Sequence, residues 1–175
     1  MPRSDLTLFS YMLLGLVGRD GAGPHDLLRM ARQGRVLDWA GESQYYVEPK
    51  RLAKLGYLAP RPEPGRTRPR TVYSLTDQGR DALREWAATP VTVTPLKSEP
   101  LLRLLIADLV GEDVTREALA TLREDLADLN QRLDASEAAA ETLPHRAPYL
   151  LAANRFLRGF VALHEELIDA LPAPD

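Results

Sequence analysis

The chain has 175 residues, 45% of them apolar and 27% charged, and no cysteine. That length suits one compact domain, or a small domain with a helical appendage, and needs no covalent staple. Without cysteine, disulfides, thiolate nucleophiles and cysteine-based zinc or iron–sulfur centres are excluded. No apolar run approaches the ~20 residues of a membrane span, and no signal peptide is read after Arg3 and Asp5. The expectation is a cytoplasmic protein with no membrane partner.

The formal charge of −3 hides an asymmetry. Residues 1–90 carry 14 basic and 10 acidic groups, whereas residues 91–175 carry 8 and 15. The first part is therefore +4 and the second −7. Within residues 44–70, Lys50, Arg51, Lys54, Arg61, Arg66, Arg68 and Arg70 face only Glu48 and Glu63. Such asymmetry points to a polyanionic partner or, more plainly, to a solvated basic stretch.

In chain order, Ser4 or Asp5 is a candidate cap for a first helix. Leu6, Phe9, Leu13, Leu14, Leu16 and Val17 recur at helical spacing behind it. The glycine-dense turn Gly18–Gly23 stops that helix, and Pro24 suits the first turn of a second, short one reaching Gln33. Gly34 ends it, and Val36, Leu37 and Trp39 read as an apolar bridge. Ser43 can cap a third helix reaching Leu55, with Gly56 placed as a C-terminal glycine.

Tyr57-Leu58-Ala59 reads as a short strand, and Thr71–Leu75, β-branched and alternating, as its return. Between them, four prolines and a glycine over residues 60–70 argue against helix and regular strand interior. The hairpin tip carries Arg66, Arg68 and Arg70 at alternate positions. Thr76 then caps a helix through about Ala88, and residues 89–95 read as a linker.

Beyond it, Leu96 to Val110 reads as one strongly apolar helix. Leu119, Leu122, Leu126, Leu129 and Leu133 form a seam of alternating steps of three and four. Leu150, Ala153, Leu157, Phe160, His164, Leu167 and Leu171 form a second, and Pro144 and Pro148 separate the two. This is a helical hairpin whose stripe must be covered by the body or by another subunit.

Three helices, a basic hairpin and a further helix are the order of a winged helix-turn-helix. In that layout the third helix enters the major groove and the wing reaches backbone or minor groove. On the third helix, Tyr45, Pro49 and Leu52, with Leu55 or Gly56, share the inward side. Ser43, Gln44, Tyr46, Val47, Lys50, Arg51 and Lys54 share the other. The candidate DNA-binding residues are Ser43, Gln44, Tyr46, Lys50, Arg51 and Lys54 on the helix, and Arg66, Arg68 and Arg70 on the wing. Gln44 matches an adenine edge, and Lys50 and Arg51 match phosphate or guanine. Core packing is the alternative role for Tyr46, and a solvated basic face that for the cations. Pro49 is an irregularity: an interior proline costs ~3 kcal/mol or more, so the helix is expected either to begin near Glu48 or to kink.

No catalytic constellation, cofactor loop or metal cluster is read. His25, His145 and His164 lie on three separate segments, and His164-Glu165-Glu166 lacks metal-ligand spacing. His164 reads as a packed or capped side chain, with a proton switch as the sharper alternative. Trp39 and Trp86 are the aromatic candidates for a planar ligand, although core packing fits both better.

These residues resemble the PadR family of bacterial transcriptional regulators. Tyr11-Met12-Leu13-Leu14-Gly15-Leu16 is similar to that family's opening helix, and Pro24-His25-Asp26-Leu27 to its second-helix element, with proline and histidine in place of glycine and an aromatic. Ser43-Gln44-Tyr45-Tyr46, Lys50-Arg51-Leu52 and Leu55-Gly56-Tyr57-Leu58 resemble its recognition helix and exit. Val72–Thr76 with Gly79, Leu83 and Trp86 resembles the second wing strand and following helix, and Pro95–Glu99 with Leu101-Leu102 the junction beyond. Pro49 departs from the usual leucine.

The resemblance implies a mainly α fold. Residues 1–90 would form a winged helix-turn-helix DNA-binding domain with a two-stranded wing. Residues 91–175 would form a helical C-terminal dimerisation domain, as in the larger subfamily. It also implies a homodimeric repressor binding double-stranded operator DNA, released by a small aromatic effector, and not an enzyme. The alternative from another class is a winged-helix protein–protein module without DNA readout.

Overall fold

The computed structural model describes residues 3–33, 40–64, 69–93 and 96–171. They divide into two compact units, Met1–Thr92 and Val93–Asp175.

The first unit begins with α1 (Leu8–Val17), α2 (Pro24–Gln33) and α3 (Gln44–Lys54). Thr7, not Ser4 or Asp5, caps α1: its side chain accepts from the Ser10 amide, and the Ser10 side chain accepts from the Thr7 amide. The reciprocal pair satisfies two amides that a helix start otherwise orphans. Serine completes the box here where Glu or Gln is usual.

Glu42 to Ser43 lead into α3, but Ser43 lies in helical conformation and its side chain makes no capping bond. At the other end, the Tyr57 amide donates to Leu52 O and the Gly56 amide to Ala53 O. Gly56 supplies the left-handed φ of +84° that this closure requires. Leu52 and Tyr57, its two apolar flanks, are both buried.

The chain then enters β1 (Leu58–Glu63), which pairs antiparallel with β2 (Arg70–Leu75), Leu58 opposite Leu75 and Glu63 opposite Arg70. Thus β1 runs through Pro60 and Pro62, which the sequence reading had kept out of the strand. The reason is parity. Tyr73, opposite Pro60, exchanges both its backbone hydrogen bonds with Ala22 on the other edge. The Pro60–Tyr73 pair is therefore a non-hydrogen-bonded one, and proline there removes no ladder bond; Pro62, two residues on, shares the parity.

Thr76 caps α4 (Asp77–Ala87) by accepting from the Gly79 amide. The core of this unit joins Leu13, Leu14, Val17, Leu27, Tyr45, Leu52, Leu58 and Tyr73. Trp86 packs at its edge, stacked on Tyr11 with ring centroids 4.9 Å apart.

The second unit holds helices and no strand among its described residues: α5 (Glu99–Leu105), α6 (Ala107–Val110), α7 (Glu112–Ala120), α8 (Leu122–Ala140) and α9 (Ala147–Ile168). Leu96 to Val110 is not one helix. Ser98 caps α5 by accepting from the Leu101 amide, and Ile106 breaks the run at φ −109°, ψ 11°. The first seam is also interrupted, between α7 and α8 at Thr121. On α9 the inward stripe is Asn154, Leu157, Val161 and Ile168, which covers Leu126, Leu129 and Leu133 of α8. The sequence reading had placed it one residue earlier at Ala153, Phe160 and Leu167. Asn154 enters an otherwise apolar seam, where its Nδ2 donates to Leu133 O and its Oδ1 accepts from Ser136. Its preference for these partners selects the register.

Gly79 shows how tightly α4 abuts the wing. A Cβ there would stand 2.3 Å from the Tyr57 carbonyl oxygen, which also accepts from Thr76. Alanine is the better helix former by ~1 kcal/mol. Gly79→Ala is nonetheless expected to destabilise the first unit by about 2 kcal/mol or more through overpacking. A lowered urea midpoint with unchanged slope checks this.

Candidate nucleic-acid interface

The inner side of α3 holds Tyr45, Pro49 and Leu52, all fully buried. Phe9 meets Tyr45 edge-on at 5.3 Å. The helix begins at Gln44 and runs unbroken through Pro49, so it does not start late at Glu48. Pro49 still lacks the amide that would donate to Tyr45 O.

The outer side is built as the spacing predicts. Ser43, Gln44, Tyr46, Val47, Lys50 and Lys54 are exposed, Tyr46 at 38%. Among the described residues, neither Lys50 nor Lys54 makes an ion pair. Leu55, grouped with the inward residues by spacing, is exposed instead.

Arg51 differs from its lysine neighbours. Its Nε and Nη2 donate to the two Glu48 carboxylate oxygens at 2.8 and 2.7 Å. Nη2 also donates to Ser10 Oγ at 3.2 Å, and Nη1 to the Asp5 carbonyl at 3.0 Å. Four of the five guanidinium hydrogens are thus engaged within the protein. Ser10 Oγ in turn donates to Glu48 Oε1 at 2.6 Å. Burial pushes the Glu48 carboxyl up, but the hydrogen bonds from Arg51 and Ser10, with the Arg51 charge, outweigh it and hold the group below the ordinary carboxylate range. The same Glu48 bonds push Arg51 up.

This network continues through the N-terminal segment. The Tyr57 hydroxyl donates to Asp5 at 2.9 Å, the Arg3 amide to the Tyr11 hydroxyl, and the Arg3 guanidinium pairs bidentately with Glu85 of α4. The Glu48–Arg51 pair was visible as an i,i+3 charge spacing. Its bond to Ser10 joins residues 38 apart, and nothing local signals it.

On the wing, Arg70 pairs with Glu63 on the opposite strand at 3.1 Å and with Asp26 of α2 at 3.4 Å. Arg61 pairs with Glu63 as well. These pairs are exposed and so worth little in water, which leaves the cations exchangeable toward a phosphate. Arg66 and Arg68, at the tip, lie outside the described residues, as does Trp39. Trp86 is engaged with Tyr11. His164, on α9, is half-buried, bonds the Phe160 carbonyl through Nδ1 and leans on the Phe160 ring. Among the described residues no group of His, Asp or Glu could hold a metal, and no helix is long and apolar enough to cross a membrane.

Three helices, a paired wing and a following helix, with a separate helical unit beyond, define a winged helix-turn-helix protein with a helical C-terminal region. No protein-family model matches the chain, and no curated protein sequence matches it significantly. Solved structures do. Bacillus subtilis PadR in complex with operator DNA is 21% identical, with a TM-score of 0.70 over 95% of this chain and 99% of that one. The same Bacillus protein in complex with p-coumaric acid aligns with a TM-score of 0.60 at 20% identity, over 94% of this chain and 99% of that one. The smu.1604c protein of Streptococcus mutans gives 0.74 at 15% identity, over 93% and 95% of the two chains. The Vibrio cholerae virulence activator AphA gives 0.66 at 20%, over 93% and 97%. The fold is that of the PadR and PadR-like transcriptional regulators.

The electrostatics of Glu48 fix a pH signature. Its folded value lies below its unfolded one, so its stabilisation is complete above the ordinary carboxylate range of about 4–4.5 and is lost as pH falls through the lower folded value. Glu48→Gln is expected to cost roughly 1–3 kcal/mol at pH 7. The difference between wild type and variant should shrink as pH falls below about 4. Denaturant titrations at pH 7, 5, 4 and 3 measure it.

Proposed function

We propose that this chain is a PadR-type transcriptional regulator that binds operator DNA as a homodimer, reading bases with α3 and gripping phosphate with the wing. The supporting observation is the face of α3: Gln44, Tyr46, Lys50 and Lys54 are exposed on a helix whose opposite side is locked into the core. Helix-turn-helix proteins insert the element so placed into the major groove. Gln44 offers the amide pair that matches adenine, and the two lysines offer point charges for phosphate or guanine. The fold shared with a PadR seen on operator DNA supports the same reading. Arg66, Arg68 and Arg70 then reach backbone or the adjacent minor groove.

Dimerisation belongs to the second unit in this reading. On α9, Tyr149, Phe156, Phe160 and Leu163 fall at steps of seven, four and three, outside the stripe that packs on α8, and Tyr149 and Phe156 are each 75% exposed. On α5 and α6, Leu102, Leu105 and Leu109 are also exposed. Aromatic side chains in such a stripe are poor surface and good interface anchors. A second copy covers them, giving a two-fold dimer that spaces its α3 helices for half-sites about 10 base pairs apart or a multiple of that. Repression is the mode proposed, with release by a small planar aromatic. Support for such an effector is the p-coumaric acid complex of the Bacillus protein.

Two outcomes are expected. Fluorescence anisotropy on the chain's own upstream DNA should show tighter binding than on a scrambled duplex of equal length, weakening steeply with salt. Combined Lys50→Ala and Lys54→Ala should weaken both duplexes and lower the salt slope by about 2. Equal, weak binding to both duplexes by the wild type would leave only generic phosphate attraction and favour the protein–protein module. Light scattering should give twice the chain mass, and Phe156→Asp should weaken the dimer roughly 30-fold or more by removing one buried aromatic anchor.

A further inference from the structure

We propose that Glu48, Arg51 and Ser10 form a brace that sets the orientation of α3, and that Glu48 is thereby a positioning residue for base discrimination. The inference rests on the reading of α3 as the DNA-reading helix, and it changes the role of Arg51 from a DNA ligand to a part of the protein's own frame.

The apolar contacts of α3 do not by themselves fix its rotation. Tyr45, Pro49 and Leu52 hold the helix on the core, but apolar burial is non-directional, and Pro49 has taken one directional backbone bond out of the middle of the helix. The brace supplies direction at that level. A fork-to-carboxylate pair has two parallel bonds and one preferred plane. Here the pair is tied at 2.6 Å to Ser10, a fully buried residue in the first turn of α1 whose own geometry the Thr7 box fixes. Arg51 adds a second tether to the Asp5 carbonyl, and Asp5 is held by the Tyr57 hydroxyl just beyond the C-terminal end of α3. Two points of attachment on one side of a helix resist rotation about its axis, which would otherwise sweep Gln44, Tyr46 and Lys50 across the groove.

The charge argument runs the same way. A free carboxylate on a phosphate-facing helix would oppose binding. That of Glu48 accepts three hydrogen bonds, and its side chain is only 14% exposed. Arg51 in turn is paired with Glu48, so the net charge that α3 itself offers to DNA comes from Lys50 and Lys54.

The test measures binding of Glu48→Ala, Glu48→Gln, Ser10→Ala and Arg51→Lys to the upstream and scrambled duplexes at two salt concentrations. Glu48→Ala is expected to lower the ratio of the two affinities about tenfold or more, the worth of one misplaced base contact. Affinity for the scrambled duplex should stay the same or rise a few-fold, because a negative charge has gone, and the salt slope should not change, because no phosphate contact is lost. Ser10→Ala and Glu48→Gln, which leave part of the network, should fall between. Arg51→Lys keeps the charge but not the fork and should lower the ratio as Glu48→Ala does, with no gain on the scrambled duplex. An unchanged ratio in Glu48→Ala, or a parallel gain on both duplexes, overturns the brace. So does an Arg51→Lys variant of wild-type discrimination. If Glu48→Ala has melted at the assay temperature by circular dichroism, Glu48→Gln and Ser10→Ala decide the matter by the same criteria. A wild type that does not discriminate the duplexes overturns the DNA-reading role of α3 and the brace with it; a discriminating wild type matched by its variants overturns the brace alone.

Discussion

Everything on the outer side of α3 depends on how its inner side is seated. Tyr45, Pro49 and Leu52 occupy steps of four and three, so they project in one direction into the core formed with α1 and α2. Each is fully buried. Because the seat is complete, the opposite face is exposed by geometry alone, without any tendency of Gln44 or Lys50 to seek water. Proline fits this seat because it adds a compact apolar ring where a core side chain is needed. Its cost is the backbone amide that Pro49 cannot donate within the helix, and the side-chain network lies on the flank of the helix at the same level.

The same constraint reaches the wing through Gly56. The closure of α3 on Leu52 and Ala53 turns the chain by one left-handed residue directly into β1. The Tyr57 carbonyl then receives the amide and hydroxyl of Thr76 at the start of α4. One carbonyl thus joins the end of α3 to the start of α4, and β2 is held on both edges, by β1 and by Ala22. The wing is therefore tied to the helical core at its base, where Leu58 pairs with Leu75, while Arg61, Glu63 and Arg70 sit toward its tip.

Much of this was legible in the sequence. The seat of α3 followed from 3.6-residue periodicity, and Gly56 and Thr76 from the demands of helix ends. What escaped depended on partners distant in the chain. The Pro60 strand position is acceptable only because Tyr73 spends its backbone groups on Ala22, which no local rule contains. The cap at Thr7 was obscured because its box is completed by serine. The break at Ile106 and the one-residue shift of the α9 stripe share another cause. An apolar run with leucines on several sides leaves the inward face undetermined, and the buried Asn154, meeting Leu133 and Ser136, decides it. Arg51 was read as a DNA ligand because its helical position is right; its commitment to Glu48 and Ser10 is a tertiary fact.

The charge distribution carries a last consequence. The chain is acidic overall, yet the basic groups concentrate between residues 44 and 70. An acidic second unit of −7 would oppose non-specific adsorption to a polyanion over most of the surface. In the proposed complex, attraction is then concentrated on α3 and the wing, within about a Debye length of 8–10 Å at physiological salt. Among the described residues of α3, Lys50 and Lys54 make no ion pair, so in the proposed complex they carry the phosphate contact of that helix. Discrimination must come from where those few groups stand, and for a helix carrying an internal proline that position is set by the buried side chains beneath it and the hydrogen bonds beside it.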